Sequence, residues 1–248
     1  MSEVIKIENA VFGYRGKPVL SINDLSIRKG DFLGIVGANG SGKSTLIKTI
    51  IGLLKPLGGK IRKERAARFG YVMQRQLLDT SYPVTVKDII LMGRYGRVGI
   101  LRRIQKEDYK KVDEAIHLAG ISGLENKRCS EISGGQLQRV LIARTLVSEP
   151  DVLFLDEPTN DLDIKGESEI LGLIKGIWKK LGITVVMVSH DLHAVLNSSD
   201  KIVFLIDGTA HIRMTAEILN DEALSSIYSH PISLLQKNGK FACIGIGD

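Results

Sequence analysis

Apolar positions along the chain follow two periods, and the switches between them divide it into strands and helices. Stretches rich in Val and Ile at 4–11 and 19–27, broken by polar turns at 13–16 and 23–24, predict β-structure at the amino end. Residues 32–36 are a short continuous apolar run, as a strand buried on both faces requires. Leu46, Ile47, Ile50 and Ile51 then recur at helical spacing, and Pro56 with Gly58 and Gly59 stops that helix. A basic stretch follows at 60–68, and 68–72 predicts another strand, ending at Gln74. From 74 to about 150 the texture is helical. Thr85 is placed to cap a helix carrying Ile89, Ile90 and Leu91. Residues 106–119 form an amphipathic segment closed by Gly120, with Glu107 four residues before Lys111 on an exposed face. Ser133 opens a third helix, running through Leu137, Leu141 and Leu146 to Pro150. Alternation of strand and helix then resumes. Residues 152–155 and 183–188 are apolar strands, and 201–206 with 209–213 predict a hairpin turning at Asp207 and Gly208. A short helix at 221–228 and a second hairpin about Asn238 and Gly239 end the chain. The simplest architecture is one α/β domain over 1–248 with an α-helical insertion at about 75–150.

Composition and charge narrow the class. A chain of 248 residues, 44% hydrophobic and 25% charged, has the composition of a globular protein with a sizeable core. Its apolar runs stop far short of a membrane span, and the first residues lack the basic-then-apolar pattern of a signal peptide. Two cysteines, Cys129 and Cys243, indicate neither a disulfide framework nor a zinc site, and a cytoplasmic location is the expectation. The net charge of +6 permits an anionic partner without requiring one.

The densest chemistry lies in Gly37, Ala38, Asn39, Gly40, Ser41, Gly42, Lys43, Ser44 and Thr45, which match G-x-x-x-x-G-K-[ST]. The match sits between a predicted strand and a predicted helix, the context a phosphate-binding loop needs. Glycines let the backbone wrap closely round phosphates, and the loop N–H groups and helix start face the anion. In such a loop Lys43 reaches the β- and γ-phosphates and Ser44 offers its hydroxyl to Mg²⁺. An ordinary glycine-rich turn leaves the Lys-Ser pair unexplained. Further polar groups fall at strand ends, where open parallel sheets bind ligands. Asp156 follows an apolar strand and can hold Mg²⁺; Glu157 beside it can orient an attacking water. His190 ends the next strand, and its i,i+3 spacing to His193 is not read as a metal pair, since no third ligand is near in sequence. Ser133, Gly134, Gly135 and Gln136 open a helix with free N–H groups and a hydroxyl, a second anion site.

Together these stretches resemble the ATP-binding cassette (ABC) ATPases, and the resemblance covers nearly the whole chain. Residues 37–45 are similar to the Walker A loop, Tyr14 to the aromatic that stacks on adenine, and Gln74 to the Q-loop glutamine. Residues 132–136 resemble the family signature, 152–157 Walker B with the catalytic glutamate, 160–163 the D-loop, and His190 the switch histidine. Departures are mild: Ile132 stands where leucine is usual, and Asn160 and Asp161 where serine and alanine are frequent. The resemblance implies a RecA-like P-loop NTPase core, an N-terminal antiparallel β-subdomain and an inserted helical subdomain. It implies ATP as substrate, Mg²⁺ held by Ser44, Gln74 and Asp156, and hydrolysis served by Lys43, Gln74, Glu157 and His190. It also implies an ATP-bound homodimer in which residues 133–136 of each copy meet the γ-phosphate held by the other.

A cassette without a membrane segment resembles importer ATPases, which act at the cytoplasmic face with separate permease subunits and an extracytoplasmic solute-binding protein. Residues 92–97 and 101–103 look most like the ATPases of zinc and manganese importers, with iron-chelate importers next. Residues 94–111 carry seven Lys or Arg against two Asp or Glu, which predicts either a solvated helix face or a basic surface near lipid headgroups. Nucleic-acid partners are not expected, because the insertion is too short for the coiled coil or zinc modules of DNA-repair cassettes. The alternative is a soluble single cassette of an assembly complex, such as iron–sulfur cluster assembly.

Overall fold

Strand β1 (Glu3–Tyr14) and strand β2 (Lys17–Arg28) form a long antiparallel hairpin, with Ile5 opposite Ile27 and Tyr14 opposite Lys17. Ile5, Ile7, Phe12, Leu20, Ile22 and Ile27 are buried, the period-2 pattern of a sheet with one covered face. The computed structural model describes residues 2–73, 83–99, 102–228, 232–237 and 240–245, so Gln74 and the turn at Asn238 and Gly239 lie outside the described residues. By backbone contacts the chain divides into two units, 1–67 with 184–248, and 68–183.

In the first unit, β3 (Phe32–Gly37) lies between two parallel neighbours, β7 (Thr184–Ser189) and β8 (Lys201–Ile206). All residues of β3 and β7 are buried, which explains their unbroken apolar runs. Helix α1 (Lys43–Ile51) follows β3, and β9 (Thr209–Met214) pairs antiparallel with β8 across the Asp207–Gly208 turn. One strand is not anticipated by the apolar pattern: β4 (Gly58–Lys63), in the segment expected only to stop a helix and carry basic charge. It pairs antiparallel with the outer side of β1. Four of its six residues are exposed, and a charged sheet edge of this kind deters pairing with other chains. At the carboxyl end, α8 (Asp221–Tyr228) precedes a second hairpin, β10 (Ile232–Lys237) with β11 (Lys240–Gly245). Asn197, just after the short helix α7 (Leu192–Leu196), clamps β11 by exchanging two hydrogen bonds of 2.8 and 2.9 Å with the Phe241 backbone.

In the second unit, β5 (Phe69–Val72) and β6 (Val152–Asp156) run parallel. Between them in sequence come α2 (Val86–Met92), the single turn α3 (Tyr95–Val98), α4 (Lys106–Leu118) and α5 (Gly134–Leu146). Val86, Ile90, Val112, Ile116, Val140 and Ala143 join α2, α4 and α5 in one core. Thr85 caps α2 as its sequence signals, accepting from Asp88 N while the Asp88 carboxylate accepts from Thr85 N. Helix α6 (Ile164–Leu181), the longest among the described residues, fills the resumed strand–helix alternation, for which the sequence set no helix bounds. Glycines at 166, 172 and 176 lower its intrinsic propensity, and burial of Ile170, Ile174 and Ile177 on one face compensates.

Two expectations about α4 and its surroundings change. Glu107 pairs with Lys110, and Lys111 instead meets Glu114 and Glu149. The basic stretch 94–111 is neutralised in part, with Arg102, Arg103 and Lys106 left exposed. Arg94 is buried, 2.8 Å from Asp108 through Nη2 and donating to the Val147 carbonyl, and Arg97 lies 3.2 Å from Glu149. The architecture is that of a P-loop NTPase core, an α/β fold with an N-terminal antiparallel hairpin and a helical insertion.

Candidate nucleotide-binding site

The phosphate loop leaves the buried end of β3. Gly37, its last strand residue, has no room for a side chain: a Cβ there would lie 2.6 Å from Ser41 Oγ and 2.8 Å from the Leu205 carbonyl oxygen. Gly42 caps α1 at φ 94°, the left-handed region, against Val19 and Leu20 of β2. Helix α1 has no side-chain cap and no acidic residue in its first turn, so its positive end is left for an anion. Lys43 is buried and its ammonium donates to the carbonyl oxygens of Gly37 at 2.7 Å and Ala38 at 3.0 Å. It is thus held within the loop, at the position from which it can reach a phosphate. Ser44 and Thr45 are half-buried in the first helical turn, while Ala38, Asn39 and Gly40 are exposed. Ser41 Oγ is buried with no hydrogen-bond partner, a hydroxyl turned inward toward Gly37.

The same unit brings His190 and Tyr14 to this loop. Val36 registers with Ser189 in the parallel pair β3–β7, so Gly37 and His190 leave adjacent strands side by side. Asp191 then caps α7, accepting from His193 N at 2.8 Å and donating its own N–H to Ser189 Oγ. Tyr14 sits at the β1–β2 turn opposite Lys17 of the strand whose Val19 and Leu20 pack on Gly42; the residue is 57% exposed, with the Arg15 guanidinium 6.0 Å from its ring centroid.

The second unit carries the other set. Asp156 ends β6 almost fully buried, and the Tyr71 hydroxyl donates to its Oδ2 at 2.9 Å. Burial first, then the adjacent carboxylate, raise the Tyr71 hydroxyl above its ordinary pKa, so it remains a donor. Glu157 is buried as well and adopts φ 51°, with Asp161 at φ 61°. Left-handed conformations in residues other than glycine cost of order 1–3 kcal/mol and persist where surrounding structure demands them, most often at functional sites. Ser133 is the N-cap of α5: its hydroxyl accepts from Gln136 N at 3.2 Å, and Gln136 Oε1 accepts from Ser133 N at 2.9 Å. Gly134 and Gly135 follow, and no atom lies within 4 Å of a Cβ built at Gly135, so the start of α5 is open to a ligand. These four residues share an open groove of about 700 Å³ with Asp161, Leu162 and Asp163, joining the two sequence stretches 133–136 and 160–163. Arg139 closes its wall, donating to the Ala119 carbonyl and to Glu169.

Two participants escape sequence reasoning. Tyr71 is a strand residue whose partner lies 85 positions on, and Arg139 is a basic residue on an amphipathic helix. Their only sequence signal is a polar group at a position that periodicity assigns to the interior.

Comparison with known proteins decides the family. Residues 20–160 match the family model described as ABC transporter. The manganese transport system ATP-binding protein MntB of Bacillus subtilis is 36% identical over 238 residues, spanning 94% of this chain and 95% of that protein. This chain is an ABC transporter ATP-binding cassette. As such it binds ATP and hydrolyses it to energise transport. The zinc transport system ATP-binding protein TroB of Treponema pallidum is 39% identical, covering 86% of the cassette and 80% of TroB. Among solved structures, a transporter assigned to the metal-chelate type, in an inward-facing conformation, superposes with a TM-score of 0.87 at 28% identity, over 99% of the cassette and 97% of that chain. The cassette MJ0796, solved as a dimer in a post-hydrolysis state with ADP and phosphate, matches with a TM-score of 0.72 at 28% identity, over 85% of this chain and 98% of that one. A cassette of this fold is thus known as a dimer. Among the described residues no helix is long and apolar enough to cross a membrane.

Proposed function

We propose that the cassette is the ATPase subunit of an importer of manganese or zinc ions, working at the cytoplasmic face of the membrane. The observation that carries this is the likeness to the manganese and zinc transport ATP-binding proteins, which runs across most of the chain and is not confined to its nucleotide motifs. Both relatives are subunits of transport systems, which disfavours a soluble assembly factor.

In this reading two copies pair head-to-tail on separate permease subunits, with a solute-binding protein outside. The helical lobe at about 75–150 and Gln74 face the permease. Tyr14 stacks on adenine, and the N–H groups of 37–45 cradle the phosphates. Lys43 supplies charge to the β- and γ-phosphates, and residues 133–136 of the other copy cover the γ-phosphate. Glu157 accepts a hydrogen bond from the attacking water, and His190 supports the developing charge. Ser44, Gln74 and Asp156 would hold Mg²⁺. The donor set fits, since a hydroxyl, an amide oxygen and a buried carboxylate are the hard oxygen ligands this ion prefers. When bound, the ion would supply positive charge that offsets the charge of the phosphates.

The test is co-expression with a candidate polytopic permease, followed by reconstitution into vesicles. The cassette should co-purify with that protein and drive ATP-dependent uptake of manganese or zinc. A cassette that remains unassociated, with no uptake of either ion, overturns the importer assignment.

A further inference from the structure

Asp156 is held by a side chain that the proposed chemistry leaves without a role. In the parallel pair β5–β6, Phe69 lies opposite Val152 and Tyr71 opposite Phe154. Both aromatic side chains reach two residues further along β6. The Phe69 ring meets Phe154 edge-on with centroids 5.8 Å apart, and the Tyr71 hydroxyl meets Asp156 Oδ2 at 2.9 Å. Diagonal neighbours in a sheet are about 7–8 Å apart at the backbone, within reach of an aromatic ring but not of a short side chain. The contact is thus set by ring length and by strand register, and a slip of one residue would turn Tyr71 to the opposite face. Asp156 is only 3% exposed, so bulk water does not compete for this oxygen.

We propose that Tyr71 is a positioning residue for the divalent-cation site. It fixes the Asp156 carboxylate through Oδ2 and ties the end of β6 to the neighbouring strand β5. The inference rests on the reading of Asp156 as a Mg²⁺ partner. Groups that orient metal ligands typically change metal affinity or activity by about 10–100-fold when removed.

Tyr71→Phe keeps the ring and its packing and deletes only the hydroxyl. Mn²⁺ serves as the probe: its free EPR signal is titrated with the full-length cassette in the presence of a non-hydrolysable ATP analogue. The variant should bind Mn²⁺ roughly 10-fold more weakly and need correspondingly more Mg²⁺ for half-maximal ATPase activity. Nucleotide affinity in EDTA should be unchanged, and turnover at saturating Mg²⁺ should largely recover. Wild-type Mn²⁺ affinity in Tyr71→Phe overturns the proposal. Phe69→Leu perturbs the same strand without touching Asp156, and should lower the melting temperature while leaving Mn²⁺ affinity alone. A loss of Mn²⁺ binding in Phe69→Leu equal to that in Tyr71→Phe would assign the effect to strand packing and also overturn it. Asp156→Asn separates the two levels of the inference. If it binds Mn²⁺ like wild type, the reading of Asp156 itself falls; if it is weakened while Tyr71→Phe is not, only the role of Tyr71 falls.

Discussion

Lys43 shows how much of this site is built by single residues. Its ammonium is drawn back onto the carbonyls of Gly37 and Ala38, which buries the charge yet keeps it at the mouth of the loop. In the proposed reading Lys43→Ala removes the positive charge offered to the β- and γ-phosphates, and ATPase activity should fall by about a hundred-fold or more, equivalent to several kcal/mol in the barrier. A steady-state phosphate-release assay on the folded variant checks this; near-wild-type turnover would remove Lys43 from the mechanism. Gly37 is a second case. A Cβ there meets the Leu205 carbonyl at 2.8 Å, and backbone cannot swing aside as a side chain can. Gly37→Ala should cost about 1–3 kcal/mol of stability, measured by urea unfolding, and weaken nucleotide binding as the loop shifts. Tyr14 is argued from its ring, which is more than half exposed. Tyr14→Ala should weaken ATP binding by roughly 1–3 kcal/mol, taking base–aromatic stacking as the guide, whereas Tyr14→Phe should do little. Equal losses in calorimetric titrations of both variants would point to the hydroxyl instead.

At the scale of elements, the buried Arg94 joins the end of α2 to the start of α4 and to the loop after α5. It lies 2.8 Å from Asp108 and 2.9 Å from the Val147 carbonyl oxygen, with Glu149 at 3.4 Å. Asp108 is held below the usual carboxylate range first by the Gln105 backbone N–H that it caps, and then by Arg94. Arg94→Met would leave a buried carboxylate without its cation, a change that typically costs about 3–5 kcal/mol. The sign of the pH dependence follows from the direction of the shift. A carboxylate whose folded pKa is depressed contributes stability that is present above its unfolded pKa, about 3.9 for Asp, and is lost as pH falls through the folded value. The stability gap between wild type and Arg94→Met should therefore be full at neutral pH and shrink below about pH 4. Thermal unfolding of both proteins across that range tests it, and a gap that does not narrow would show that Arg94 acts through packing alone.

For the whole molecule, the phosphate loop lies in one unit, whereas Asp156, Glu157 and the groove at Ser133–Gln136 lie in the other. That groove is open and carries the exposed start of α5, as a surface meeting another subunit's phosphates requires. Glu157→Gln preserves shape and hydrogen bonding but removes the carboxylate proposed to accept from water. ATP affinity should survive, and the variant should accumulate as an ATP-bound dimer where wild type returns to monomer. Light scattering with Mg-ATP measures the dimer directly. Hydrolysis at the wild-type rate in Glu157→Gln would eliminate its role.

What the amino-acid sequence determined by itself is whatever is encoded within a few residues. The phosphate loop is one example, because strand, glycines, Lys43, Ser44 and helix are contiguous and their geometry is local. The caps at Thr85 and Ser133, the hairpin turn at Asp207 and Gly208, and the apolar runs of the buried strands β3, β6 and β7 are others. Only the tertiary structure decided features that depend on pairing at long range. Strand β4 is polar on its own and is a strand because β1 offers it an edge. Helix α6 carries three glycines and is a helix because one of its faces is buried. Arg94 counts as surface charge until Asp108 and the Val147 carbonyl enclose it, and the expected basic face shrinks accordingly. Tyr71 acquires a partner 85 residues away only when β5 and β6 adopt one register. The physical reason is common to all four: local propensity and periodicity measure the cost of ordering a segment, whereas burial and hydrogen bonding to a distant segment decide whether that cost is met.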